Sequence, residues 1–102
     1  MRFGFLPGAE EDIDAIASRY GRSTDKTGKS FLDQLEVALA MIATNPGIGE
    51  RIEKASRDQI VRGFSVARYP YLVLYKSEAD LITIITVAHH SRRPGFWRDR
   101  LD

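Results

Sequence analysis

The sequence predicts an α+β fold of element order β-α-α-β-β-β, a helical hairpin packed on a small, largely antiparallel sheet with a short C-terminal helix or tail. Three observations carry this. Two stretches of the first half repeat apolar residues at helical period. The second half changes to runs of β-branched and aromatic residues separated by turn residues. One short alternating run precedes both helices, so helices and strands are segregated rather than interleaved. With 102 residues and 43% hydrophobic content, residues 1–102 fit one domain with a self-supporting core.

Phe3 and Phe5 alternate against Arg2 and Gly4, which reads as a strand from Arg2 to Leu6, and Pro7-Gly8 then turns the chain. Ala9, Ile13, Ile16, Ala17 and Tyr20 fall at offsets 0, 4, 7, 8 and 11, the stripe of an amphipathic helix. Glu10, Glu11 and Asp12 sit in its first turn, where the helix dipole favours negative charge, and Gly21 stops it. Ser23, Thr24 and Asp25 offer capping oxygens for a second helix. Its stripe is Phe31, Leu35, Ala38, Leu39 and Ile42, and Asn45-Pro46-Gly47 ends it. A connection over Gly21–Thr24 would make the helices antiparallel neighbours.

Residues 59–64, 69–76 and 81–89 follow as strands, the last two joined through Ser77-Glu78-Ala79-Asp80 into a meander. Leu81 to Val87 is apolar on both faces, as a central strand covered on both sides should be. Pro94 is placed to open a short helix or turn through Leu101. The expected core between hairpin and sheet is Ile13, Ile16, Leu35, Leu39, Ile42, Leu72, Leu74, Ile82, Ile84 and Val87.

Composition excludes several classes. There is no cysteine, hence no disulfide scaffold, thiol nucleophile or thiolate metal site. His89 and His90 are the only histidines, adjacent and too few for a histidine-based zinc site, so no metal is expected. The longest apolar stretch interrupted only by threonine, Leu81 to Ala88, falls far short of the ~20 residues of a membrane helix, and the N-terminus lacks a signal peptide's apolar run. The expectation is a cytoplasmic protein that does not engage membranes. Charge is unevenly placed: residues 1–50 hold five Lys/Arg against eight Asp/Glu, and residues 51–102 hold ten against six. Arg92, Arg93, Arg98 and Arg100 cluster at the end, and arginine suits bidentate contact with phosphate or carboxylate.

Four segments in order resemble the RelE/ParE superfamily of bacterial toxin–antitoxin toxins over almost the whole chain. They are Ala9-Glu10-Glu11-Asp12-Ile13, Ile42-Ala43-Thr44-Asn45-Pro46-Gly47-Ile48-Gly49, Tyr69-Pro70-Tyr71-Leu72-Val73-Leu74-Tyr75, and Val87-Ala88-His89-His90-Ser91-Arg92-Arg93-Pro94. The resemblance implies the toxin of a type II module, bound and neutralised by a cognate antitoxin in a heteromeric complex. The antitoxin, rather than this chain, would carry the sequence-specific DNA-binding surface. No organic cofactor is implied.

The superfamily holds two chemistries. RelE-type members cleave messenger RNA on the ribosome, which needs a base for the 2′-hydroxyl, cations on the scissile phosphate and an acid for the leaving oxygen. ParE-type members poison DNA gyrase without bond-making chemistry of their own. His89-His90-Ser91-Arg92 matches the ParE-type spacing, although Arg93 stands where an aspartate is common. No tyrosine follows Tyr75, so the terminal tyrosine of RelE-type members is absent.

The resemblance therefore implies a gyrase poison, with no catalytic residues expected, whose target surface is His89, Arg92, Arg93, Phe96, Trp97 and Arg98. The alternative is a RelE-like endoribonuclease using Glu53 or His89 as base and Arg62, Arg68 and Arg92 on phosphate. A second alternative is a non-toxic relative that only binds an antitoxin. Several of these residues also have purely structural readings. Tyr69, Tyr71 and Tyr75 suit sheet packing, Asn45-Pro46-Gly47 suits a turn, and Trp97 suits docking of the tail on the sheet.

Overall fold

A computed structural model describes residues 2–52, 59–92 and 95–101. Strand β1 (Arg2–Phe5) leads directly into helix α1 (Pro7–Tyr20), so Pro7 opens the helix at its first position instead of turning the chain. The helix ends as expected at Gly21, whose φ of 55° is the left-handed conformation glycine adopts without strain. Helix α2 (Phe31–Thr44) starts later than its first candidate caps. Ser30 caps it reciprocally with Asp33: the Asp33 amide donates to Ser30 Oγ at 3.2 Å, and the Ser30 amide donates to Asp33 Oδ2 at 3.0 Å.

The candidate cap Asp25 has another task. Its Oδ1 accepts from the Thr27 amide at 2.8 Å, the Thr27 hydroxyl at 2.6 Å and the Lys29 amide at 3.0 Å. That wraps a loop around one carboxylate, and the helix connection runs to Ser30 rather than ending at Thr24.

Five strands form one sheet in the order β1-β5-β4-β3-β2. Strands β3 (Val61–Ser65), β4 (Tyr71–Glu78) and β5 (Leu81–His89) make the expected antiparallel meander. Strand β1 pairs parallel to β5, and the two-residue β2 (Glu50–Arg51), too short to leave a period in the sequence, pairs with β3.

Each face of the sheet carries its own cluster. Tyr71, Val73 and Tyr75 of β4 face the helices with Ile82, Ile84 and Val87, against Ile16, Phe31, Leu35 and Ile42. Leu72 and Leu74, expected in that core, point the other way because side chains alternate along a strand. They join Val61, Ile85 and Trp97 on the far face. In β5 the register shifts between Tyr75, which pairs with Ile84, and Leu74, which pairs with Thr86. The extra residue, Ile85, lets Ile84 and Val87 share the helix side while Ile85 covers the far side.

The three sheet tyrosines are buried, as the packing reading requires. Tyr20 and Phe31 meet Tyr69 and Tyr71 edge to face with ring centroids 5.0 to 6.1 Å apart, a geometry favoured by their quadrupoles. Burial raises the phenol pKa of Tyr20, Tyr69 and Tyr75, so all three stay protonated at neutral pH. Asn45-Pro46-Gly47 serves as turn chemistry: Asn45 Oδ1 accepts from the Gly47 amide at 3.3 Å. The buried Tyr75 hydroxyl staples this turn, donating to the Pro46 carbonyl at 2.7 Å and accepting from the Gly49 amide at 3.0 Å.

Candidate functional site

The end of β5 gathers the residues singled out by the sequence. Pairing of β4 and β5 places His89 opposite Tyr71, with ring centroids 5.4 Å apart and the rings nearly perpendicular. Beyond it the chain turns, as the Arg92 amide donates to the His89 carbonyl at 3.0 Å and the His90 amide donates to the Pro70 carbonyl at 3.0 Å. His89 Nδ1 accepts from the Ser91 amide at 3.0 Å, which assigns the neutral ring its proton on Nε2. Arg92 is exposed, and its guanidinium carbon lies 3.9 Å from the centroid of the Phe96 ring. Stacking of this kind holds a guanidinium flat while leaving its N–H edge available to an anion.

The tail is fixed at two points. Trp97, 3% exposed, inserts into the far-face cluster with Val61, Leu74 and Ile85. After it the short 3-10 helix Arg98–Leu101 carries Arg100 back toward α1. There Arg100 Nη1 donates to Asp12 Oδ2 at 2.7 Å and to the Ile85 carbonyl at 3.2 Å. The same Asp12 oxygen accepts from the Thr86 hydroxyl at 2.6 Å. Gly8 makes room for this contact: a Cβ there would lie 2.7 Å from the Arg100 guanidinium carbon. Trp97 thus acts as the tail's anchor, not as an exposed contact, whereas Phe96 stays partly exposed beneath Arg92. Arg98 is exposed, with its guanidinium 5.9 Å from the Trp97 ring.

The alternative nuclease residues are not brought together in the same way. Arg62 lies on β3 opposite Tyr75, with Nη1 donating to the Gly49 carbonyl at 3.1 Å. His89 pairs with Tyr71, four residues along β4, so the two sit roughly 13 Å apart along the strands and two strand spacings apart across them. Arg68 is exposed in the turn between β3 and β4 with a φ of 72°. Glu53, the candidate base, and Arg93, the second target-surface arginine, lie outside the described residues.

Sequence reasoning missed Arg19 and the partnership of Arg100 with Asp12. Arg19 Nη1 donates to the Tyr71 hydroxyl at 3.4 Å, which brings a last-turn cation of α1 beside the β5 terminus. Helical periodicity puts Asp12 and Arg19, seven residues apart, on one face of α1, but nothing in the sequence says which strand that face meets.

Among the described residues no helix is long and apolar enough to cross a membrane. The chain resembles a protein from a chromosomal ParDE toxin–antitoxin system of P. aeruginosa. The two are 19% identical, with a TM-score of 0.58 and coverage of 87% of this chain and 95% of that one. At that identity the likeness speaks for the fold. No curated protein matches the sequence significantly. The family model describing the ParE toxin of the type II toxin–antitoxin system parDE matches residues 4–94, nearly the whole chain, a span that takes in the second half of β1, both long helices and strands β2 to β5. This chain therefore belongs to the ParE toxin family of type II toxin–antitoxin systems.

Proposed function

We propose that this toxin acts by poisoning DNA gyrase through the surface at the end of β5, and that a partner antitoxin neutralises it by binding over the same basic half of the chain. The observation that carries this reading is the contrast between the two arginine positions. Arg92 is presented outward on Phe96, on a tail held by Trp97 and Arg100. Arg62 is instead bonded to a backbone carbonyl at a distance from His89. The Nδ1 of His89 is already occupied by the Ser91 amide, which leaves a donor rather than a base on the ring. Interface anchors are commonly arginine and aromatic side chains, and Arg92 on Phe96 supplies both in one patch.

Purified gyrase with supercoiled plasmid and ATP tests the mechanism. Accumulation of linear, gyrase-linked DNA on adding the protein supports it, and Arg92→Ala should abolish that product with the melting temperature nearly unchanged. Unaffected gyrase together with cleaved message on programmed ribosomes would overturn the proposal in favour of the endoribonuclease. No effect in either assay, and no growth arrest on expression, would leave an antitoxin-binding relative without toxicity.

A further inference from the structure

We propose that the cleft between α1 and the end of β5 is an anion subsite, built to take a carboxylate side chain of an acidic partner peptide between Arg19 and Arg92. The cleft is about 180 Å³ and is lined by Ile16, Arg19, Tyr71, Val87, His89 and Arg92. Asp12 also borders it, but its Oδ2 is engaged by Arg100 and Thr86, so that carboxylate is neutralised within the fold. The remaining full charges on the cleft are the two guanidinium groups. Among the described residues neither has a carboxylate partner.

The donors are also oriented. Tyr71 is 3% exposed, and its hydroxyl accepts from Arg19 while keeping a proton of its own to donate. The Nδ1 bond to Ser91 leaves the neutral His89 ring with its proton on Nε2. Phe96 holds the Arg92 guanidinium in place, so little side-chain entropy is lost when an anion binds there. Ile16, Val87 and Ala88 supply an apolar lining beside the cations. That combination suits the methylene stem and carboxylate head of a glutamate better than a phosphodiester, which presents no apolar stem.

This inference rests on the reading that an acidic antitoxin segment covers the basic half of the chain, and it names the seat of one contact. Because the seat shares Arg92 with the target surface, a carboxylate placed there would withdraw the same guanidinium from gyrase.

The test uses the full chain and two small probes, N-acetylglutamate amide and N-acetylglutamine amide, with inorganic phosphate as a third. Binding is followed by NMR at the Arg19 side-chain Nε–H and the His89 and Tyr71 amides. The glutamate probe should bind about tenfold or more tighter than its neutral twin, as expected for a charge-assisted contact. Arg19→Met, at an exposed position, should erase that preference without moving the melting temperature by more than about 2 °C. Equal binding of the two amides, or a preference that survives Arg19→Met, would overturn the proposal. Phosphate binding in the cleft more tightly than the glutamate probe would overturn it in favour of a nucleic-acid contact. The gyrase assay run on the native protein separates the two failures. Poisoning without glutamate discrimination removes only the subsite, and discrimination without poisoning removes only the target.

Discussion

Replacing Arg100 with methionine asks whether the tail is held by its ion pair or merely lies near α1. Methionine keeps the apolar stem and removes the guanidinium, so it deletes the bonds to Asp12 at 2.7 Å and to the Ile85 carbonyl at 3.2 Å. Hydrogen bonds to charged groups contribute about 1.5–3 kcal/mol each when sheltered. Here the Arg100 and Asp12 side chains retain 29% and 21% of their exposure, so water recovers part of that loss. A combined cost of about 1–2 kcal/mol remains after that discount.

For a domain of this size each kcal/mol moves the melting temperature by about 4–8 °C, which gives an expected drop of roughly 5–15 °C. Trp97 is the only tryptophan, so its fluorescence reports on the tail directly. In the native protein emission should be blue-shifted and resist acrylamide, and in Arg100→Met the quenching should increase because the tail opens more often. A control at exposed Arg22 should move the melt by no more than about 0.5 kcal/mol equivalent and leave quenching unchanged. An Arg100→Met protein that melts with the native one and protects Trp97 equally would refute the claim that this contact holds the tail.

Two further outcomes follow from buried and looped hydrogen bonds. Tyr75→Phe removes the hydroxyl that joins Pro46 to Gly49 and strands a sheltered amide and carbonyl, which should cost about 1–3 kcal/mol in urea titrations; a change below about 0.5 kcal/mol would mean that water replaces the staple freely. Asp25 is held well below the usual carboxylate range, by the Thr27 hydroxyl above all and then by the Lys29 amide and the Gln34 side chain. Its folded state favours the ionised form, so its contribution is complete above the unfolded value of about 3.9 and is lost as pH falls below it. Asp25→Asn should therefore be less stable than the native protein at pH 7 and should lose less on going from pH 5 to pH 2, as read from denaturation midpoints. Parallel acid curves for the two proteins would contradict the looped carboxylate.

Much of the architecture was legible because it rests on local rules. The stripes from Ala9 to Tyr20 and from Phe31 to Ile42 could be buried on one side only as helices, and the β-branched runs from Val61 to His89 bear out the predicted meander. The likeness of the terminal motif was also local, since His89 and Arg92 are three residues apart and belong to one turn. Caps were less certain because several polar residues compete for one helix start. Ser30 won over Asp25 because its oxygen faces the Asp33 amide, while Asp25 gathers Thr27 and Lys29 into a loop.

What only the tertiary structure decided are relations between residues far apart in the chain. Leu72 and Leu74 alternate in sequence with Tyr71, Val73 and Tyr75, and periodicity cannot say which set meets the helices. The far-face cluster, with Trp97 inserted from the tail, answers that. Asp12 with Arg100, separated by 88 positions, and Arg19 with Tyr71, separated by 52, leave no period or motif behind them. Each such pair depends on how α1 crosses the sheet and where the chain returns. A sequence states its local preferences residue by residue, but the distance between two side chains on different elements exists only once those elements are packed.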